Sequence, residues 1–538
     1  MQDSLTSESE YVFICDCDEW ARSACYGEIF FKEYNGKRYC VLHYPDAKAN
    51  FWDALYQKIS RNDLNFRGVW FPGPWPSENV QFLNDADFNS AYFHSEVDFS
   101  GASFYGKVDF SRATFMGGAY FSDVNFKSVS FSGASFGQAG DFVRATFDTV
   151  IFEHAQFKGQ ASFIHATFRE DATFLGATFS QELPFVCADF RGATFCGRAD
   201  FDLVKFTSAA SFQEVNFKGP VDLSNGRFGD VADFRFATFS AVTFMHSAFN
   251  SEARFENCTF NELTSFFSTS FCGEVNFNAA MFNAHASFRD AIFRDYVKFT
   301  GVESRPMFGS TSSLDLQFAK IEEPSHVLFH TSIMRPHWFV NVNSRQLFFL
   351  DVTFRFNFAD EIKFLRKREI QSPYVRLSKT FRDLAINCED NHRYKEASMF
   401  RYWAMETERH SEWRRFSLWP LSWLYWFASG YGERAFRASV VLISLLLLFA
   451  AIYSKVGFAR WEPRVASESD VVTAKRDEVG APLTFVRALI YSGQVVTFQR
   501  PEPRPATAAA HAAVLVETIL GPLQAALLAL AIRRKFMR

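Results

Sequence analysis

The sequence predicts a mainly β chain: a long four-sided coil of very short strands, with a small Cys/His-rich module before it and a helical, membrane-directed region after it. Three observations carry this. Phe occurs 68 times in 538 residues, against 9 Met and 17 Tyr, and it recurs at a nearly fixed step through the middle of the chain. Four Cys and one His cluster near the start, between Cys15 and His43. Two long apolar runs lie near the end. Charged residues make up 22% and hydrophobic residues 48% of the chain, a balance that excludes wholesale disorder. A formal net charge of −4 leaves no basic footprint for nucleic acid.

The N-terminal module, residues 11–80, holds Cys15, Cys17, Cys25, Cys40 and His43. A four-ligand Zn²⁺ site takes soft sulfur and nitrogen donors from two such clusters, and Cys40-x-x-His43 is a compact pair. The simplest set is Cys17, Cys25, Cys40 and His43, with Cys15 as the alternate for Cys17. The other reading is five reduced side chains on a tyrosine-rich hairpin. Nine Cys in the chain are too few for a secreted disulfide scaffold. MQDSLTSESEYVF lacks the basic and apolar regions of a secretory signal, so the body of the chain is expected in the cytoplasm.

The repeat occupies residues 81–301. From Phe99 to Phe299 there are 38 sites, 37 of them Phe and one Leu223, separated by 22 steps of five and 15 of six residues. Two residues before nearly every site is a small residue, such as Val97, Ala102, Val108 or Ala113. A helix would scatter this pattern around its axis, and a flat strand needs period 2. A square coil satisfies it, with one small and one large residue pointing inward on each of four faces. About 21–22 residues then complete a coil, and the sites make about 9.5 coils, on the order of 45 Å at strand spacing. Residues 302–358 loosen the pattern, but VLFHTSI, HWFVNVN and LFFLDVTFRF still read as strands. They are expected to be irregular terminal coils that cap the stack.

The stretch VDFSGASFYGKVDFSRATF resembles the pentapeptide-repeat family in its Phe-centred form. That resemblance implies a right-handed quadrilateral β-helix. GKRYCVLHYP, FWDALYQKI and NFRGVWFP resemble the leader that precedes and caps the first coil in bacterial members. Some relatives mimic DNA and bind gyrase, which needs a strongly acidic rod. Residues 88–300 carry 23 Asp/Glu against 16 Lys/Arg, too mild an excess for that role. Solenoids of this kind serve mostly as scaffolds and binding rods.

Residues 359–412 read as a helical hairpin. Pro373 opens a run with Leu377, Phe381, Leu384 and Cys388 on one face. After a break at Glu389–Asn391, a second run carries Tyr394, Ala397, Phe400 and Ala404. Residues 413–436 crowd Trp413, Trp419, Trp423 and Trp426, the composition of an interfacial helix.

Residues 437–538 are expected to be a two-span membrane domain. Ala438–Ser454 is uncharged and long enough to cross a bilayer. Ala508–Ile532 is the second run, and the tail Arg533, Arg534, Lys535, Arg538 places its end in the cytoplasm. Both termini are then cytoplasmic. Between the spans, residues 482–500 include a segment too short to cross, read as re-entrant. Span, short helix and span resemble two-transmembrane pore-loop channels, with ALIYSGQVVTF as the pore helix. The order from CVLHYP to ALLALAIRRKFMR resembles bacterial pentapeptide-repeat proteins with an ion-channel-like C-terminal domain, which implies the inner membrane, a lipid bilayer partner and a homo-oligomer, tetrameric if it forms a pore. Thr497, Phe498, Gln499, Arg500 and Glu502 follow the short helix without the glycines of a potassium filter, so charged rings of Arg500 and Glu502 are expected instead. Glu517 is the one carboxylate within a span, a functional candidate by position, or else a structural hydrogen-bond partner of the short helix. No nucleotide-binding loop, nucleophile elbow or HExxH motif occurs, and no enzyme is expected. The alternative to a channel is a membrane-anchored scaffold whose coil binds a cytoplasmic protein.

Overall fold

The computed structural model of the chain describes residues 13–25, 29–46, 48–75, 81–180, 186–302, 305–309, 311–412, 419–459, 480 and 482–536. They form two compact units, Met1–Phe356 and Asn357–Arg538.

The first unit is a parallel β-solenoid of about twelve turns running from Trp70 to Phe354. Most strands are two residues long, and each pairs in parallel with the strand one coil earlier and one coil later. Two faces are separate 12-stranded ladders. The other two join because Ser103–Asp109, Asn125–Ser130 and Thr146–Ile151 run through a corner without a break. Register places like on like: Phe115 opposite Phe136, then Phe157, then Phe179.

The inward Phe residues stack in four columns. One runs through Phe82, Phe104, Phe126 and Phe147, with ring centroids 4.5, 4.9 and 5.5 Å apart and near-parallel planes. Leu223, fully buried, takes the Phe place between Phe201 and Phe244. Each buried ring contributes about 1.5–3 kcal/mol relative to exposure, so this stacked interior is the main favourable term of the unit.

Phe82, Phe88 and Phe93 lie in the columns, and Phe329 and Phe349 continue them beyond residue 302, as the expected terminal coils do. Two expectations are corrected. The coil starts before residue 81, because Trp70–Phe71 already pairs with Tyr92–Phe93, and it makes about twelve turns rather than 9.5. Phe185, counted as a site, lies outside the described residues, and the register passes over it. Phe163 stacks on Phe190 and Phe179 on Phe206, so this turn holds 27 residues rather than 21 or 22. A five-residue insertion in a chain of period five preserves the spacing and hides itself.

The corners explain the polar positions. On two faces the Phe carbonyl accepts the N–H three residues on, as Phe99 from Ala102 at 2.9 Å and Phe110 from Ala113 at 3.0 Å. The third residue of that turn is left-handed. Gly101 fits it (φ 70°), but Arg112, Leu203 and Phe236 also adopt it at 57°, 59° and 62°. The Asp before many of these Phe residues has a local reason. Asp98 accepts the N–H of Ser100 at 2.8 Å, and Asp109 that of Ser111 at 2.8 Å, each fixing the turn from its own side chain.

The module preceding the coil has a 3₁₀ turn at Glu19–Ala24, a hairpin of Lys32–Tyr34 with Lys37–Tyr39, and helix α1, Phe51–Ser60. Trp70 N–H donates to Leu42 O at 3.0 Å, so the module covers the edge of the first strand. Trp75 sits beside Phe82 and Phe99 and fills the end of the core.

The second unit is helical. α2 (Phe358–Lys367) starts at Asn357, whose side chain accepts Ala359 N–H. α3 (Pro373–Asp390) and α4 (Tyr394–Glu412) form the expected hairpin. α5 (Trp419–Ser429) ends in a tight turn, and α6 (Ala435–Tyr453) follows. α7 (Phe485–Val496) is short, and α8 (Ala508–Phe536) is long. α6 and α8 are long and apolar enough to cross a membrane. Trp413 lies outside the described residues; the aromatic stretch is helical from Trp419 to Ser429 and turns at Gly430–Gly432, before residue 436.

Two substitutions test the interior and the corners. Phe163→Asp removes a ring held 4.9 Å from Phe142 and 4.7 Å from Phe190 and buries an unpaired carboxylate. It should cost about 5 kcal/mol in urea unfolding. Phe236→Gly relieves a left-handed backbone at an exposed position and should stabilise by about 0.5–1 kcal/mol. Equal stability of Phe163→Asp and wild type would contradict the inward columns.

Candidate metal centre and membrane-helix unit

The module brings its soft donors to one point. Cys15 and Cys17 precede the 3₁₀ turn, Cys25 follows it, and Cys40 and His43 leave the hairpin in a turn where His43 and Tyr44 N–H groups donate to Cys40 O. The ligand atoms of Cys15, Cys17, Cys25 and His43 all lie within 4.8 Å of one another. Cys17 Sγ is 3.8 Å from Cys25 Sγ, and Cys25 Sγ is 3.5 Å from His43 Nδ1. Donors on a tetrahedral zinc at ordinary bond lengths stand about 3.8 Å apart for two sulfurs and about 3.5 Å for sulfur and nitrogen. Cys40 Sγ lies 3.1 Å from His43 Nδ1, and Cys40 N–H donates to Cys15 Sγ at 3.3 Å. The mutually close group is therefore Cys15, Cys17, Cys25 and His43 rather than the expected Cys17, Cys25, Cys40 and His43; Cys40 stands beside it, next to His43. Cys15 belongs to the mutually close group together with Cys17, where spacing offers them as alternatives.

His43 is oriented from behind. Its Nε2 is 3.0 Å from Arg67 O, and a carbonyl can only accept, so Nε2 carries the proton and Nδ1 faces the sulfurs. This is the outer contact that metal-binding histidines usually have. Burial opposes charge on His43, but hydrogen bonds to Cys15, Cys17 and Cys40 outweigh it and push its pKa up to about 12, so in the metal-free cluster Nδ1 also holds a proton, which a bound metal would displace. Hydrogen bonds to Cys17, Cys25 and Cys40 hold the Cys15 thiol well below its usual range, and hydrogen bonds to Cys15, Cys17 and Cys40 push the Cys25 thiol well above it, so in the metal-free cluster Cys15 is the thiolate and Cys25 keeps its proton. Cys187, Cys258 and Cys388 have the opposite setting. Burial raises each thiol, and they read as core side chains.

In the second unit, α7 packs against both α6 and α8. Ala488, Tyr491, Ser492 and Val495 form its buried face, joined to Phe449, Ala450, Tyr453 and Phe458. Glu517 of α8, 1% exposed, accepts hydrogen bonds from Tyr453 Oη of α6 and Ser492 Oγ of α7. One carboxylate thus ties all three helices. At Gly521 an added Cβ would fall 2.4 Å from Val496 Cγ2, so any side chain there would force Val496 at the end of α7 to move. Gln524 adds a second polar tie, donating to Ala428 O at 2.8 Å and Ala438 O at 2.9 Å.

The residues after α7 do not form an extended filter. Phe498 N–H donates to Val495 O at 3.1 Å and Gln499 N–H to Gln494 O at 2.9 Å, with Phe498 left-handed at φ 58°. This is a Schellman cap, and Thr497 adds Oγ1 bonds to Gly493 O and Gln494 O. Thr497, Phe498, Gln499, Arg500 and Glu502 are all exposed. Beyond them the chain closes back on itself. Ala459 N–H donates to Arg504 O at 2.8 Å, and Ala506 N–H to Gly457 O at 3.2 Å.

Comparison with known proteins bears on the coil. Residues 78–125, 119–167 and 142–186 match the family model described as pentapeptide repeats (9 copies). No curated protein and no solved structure matches the chain. The matched residues lie within the solenoid, so the family likeness concerns that part of the chain.

If the donors of the module act together, protein purified without chelator should carry about one divalent metal per chain by elemental analysis. Cys25→Ser should lose it, because Cys25 is in contact with both Cys17 and His43. Cys196→Ser, an exposed thiol on the coil, should retain it. Metal-free wild-type protein would leave the five donors a reduced cluster.

Proposed function

We propose that the chain is a homo-oligomeric, pore-like membrane protein of the bacterial inner membrane, with its pentapeptide-repeat solenoid and both termini in the cytoplasm and a structural zinc ion in the N-terminal module. The reading is carried by the position of α7, a 12-residue helix nested between two helices of spanning length. A helix of 12 residues cannot cross a bilayer. Backbone that turns back at membrane depth is tolerated only when sheltered by protein or lining water. On a single chain α7 leaves Phe485, Val486 and Ile490 exposed, and Phe498 beyond its end as well. Neighbouring copies arranged around an axis would cover that apolar face and bring the exposed Arg500 and Glu502 of each copy together.

Zinc suits the module for a separate reason. Thiolates and a neutral imidazole nitrogen at tetrahedral spacing are its preferred donors, and the centre adjoins the residues that cover the first strand of the coil. Such a metal would stabilise the cap; no chemistry is assigned to it.

Without a carbonyl filter, side-chain rings set ion preference. Arg500 and Glu502 oppose each other, so weak selectivity is expected. Arg500→Glu reverses one charge per subunit at the ring and should move the reversal potential in a salt gradient toward cation preference. The measurement is planar-bilayer current from purified protein whose stoichiometry in detergent is determined in parallel, with four chains expected. A monomer, or protein that carries no current, would replace the pore with the scaffold reading: two spans anchoring a rod that binds a cytoplasmic protein. Current with an unchanged reversal potential in Arg500→Glu would place the constriction elsewhere.

A further inference from the structure

A charged network lies in the second unit, on residues that neither the metal nor the pore reading uses. Glu433 sits in the turn between α5 and α6, and its side chain is only 3% exposed. It accepts from Arg401 Nε of α4 at 2.9 Å, from Ser398 Oγ of α4 at 2.7 Å and from Arg534 Nη1 near the end of α8 at 3.1 Å. Arg401 also pairs with Glu389 at the end of α3. The charges alternate: Glu389, Arg401, Glu433, Arg534. They join the helical hairpin, the α5–α6 turn and the last turns of α8.

The turn itself is built to receive Arg534. Gly430, Tyr431 and Gly432 are all left-handed, at φ 56°, 62° and 72°, a run that needs glycine at most of its positions. This conformation points the Tyr431 carbonyl at Arg534 Nη1, 3.2 Å away. A Cβ on Gly432 would stand 3.2 Å from the same nitrogen and 3.0 Å from Tyr425 Oη. Tyr431 Oη in turn donates to Glu406 of α4 at 2.9 Å, and Trp426 Nε1 to Tyr402 Oη at 3.1 Å. Arg434 lies over the Tyr402 ring at 4.8 Å. Glu406 is held below the usual carboxylate range; burial opposes this, but hydrogen bonds from Arg409 and Tyr431 prevail. The turn is therefore gripped by α4 on one side and by α8 on the other.

We infer that Glu433 is a positioning residue that couples the α3–α4 hairpin to the cytoplasmic-end turns of α8, so that displacement of the hairpin is passed to the second candidate span through Arg401, Glu433 and Arg534. Glu433 is an acceptor shared by the two arginines. Removing it leaves two guanidinium groups without their common partner, the situation in which buried ion networks fail. The inference concerns packing within this unit and stands whether the spans form a pore or an anchor.

The test is hydrogen exchange on the full chain in lipid nanodiscs, read by mass spectrometry over α4, the middle of α6 and residues 525–534. Arg401→Gln is the deciding variant, because the altered residue is on α4 and the readout is on α8. It should speed exchange in 525–534 about tenfold or more, leaving the middle of α6 and the solenoid unchanged. Glu433→Gln should do the same, and the double variant should add little to either single one, since both break one chain of contacts. Arg401→Lys keeps the charge and should stay near wild type. Faster exchange confined to α3 and α4 in Arg401→Gln would overturn the coupling, as would effects that multiply in the double variant. If Glu433→Gln does not fold, Arg401→Gln alone decides. Coupled exchange in protein that carries no current would retain this inference while discarding the pore.

Discussion

The structure depends on one constraint: each inward ring of the coil must rest on the ring one turn below it. Parallel pairing in register delivers this, because strands that align Phe115 with Phe136 and Phe157 also align their side chains. Ring separations near 4.9 Å follow from the spacing of strands in a sheet. The same spacing satisfies the backbone, since each two-residue strand bonds to coils on both sides. Neither a flat sheet nor a helix could place an aromatic residue at every fifth or sixth position and bury them all. Once the columns are set, the corners must turn within two or three residues. That is why left-handed residues recur there even when they are Arg, Leu or Phe. The core compels the corner conformation, and the corner side chain bears the strain.

A stack of identical coils has no natural end, and its terminal strands present unpaired backbone groups. Terminal repeats of solenoids are accordingly atypical. At the N-terminal end Leu42 O accepts Trp70 N–H, and Trp75 closes the core beside Phe82 and Phe99. Lys48 reinforces this contact, with its ammonium donating to Leu42 O and lying over the rings of Phe51 and Trp70. Leu42 lies between Cys40 and His43, so the donor cluster and the covered strand edge share one short stretch of chain. A ligand held by those donors would fix the cap in place. At the other end Trp338 and Phe339 perform the filling role, buried against Phe308 and Phe329.

The helical unit faces a different problem. Its long helices are apolar nearly all round, so hydrophobic burial specifies little about which faces meet. A few polar residues do that instead. Glu517 joins α6, α7 and α8, Gln524 joins α8 to the ends of α5 and the start of α6, and Glu433 joins α4 to α8. Each is buried and each has partners from more than one element. A polar group buried without its partners costs more than an apolar one out of place, so these contacts select one packing among many of similar apolar area.

Much of this was legible in the sequence. The square coil, the four-residue hairpin face at Leu377, Phe381, Leu384 and Cys388, the two apolar runs and the short helix between them all follow from periodicity, because local spacing dictates which side chains can share a face. Tertiary structure decided the rest. The skip over Phe185 could not be read, since an insertion equal to the period leaves the pattern intact and only register between coils reveals it. The left-handed corners carry no fixed residue type, because the stacked core rather than local preference imposes them. Spacing brought Cys15 and Cys17 forward as alternatives, whereas the fold sets both against Cys25 and His43, since the chain bends there in three dimensions. The segment ending at Phe498 resembles a pore helix leading into a constriction, yet the backbone bonds of Phe498 and Gln499 fold back to close α7. Glu433 had no signal at all. Its partners lie 32 and 101 residues away, and no local pattern records a contact made only when distant helices pack.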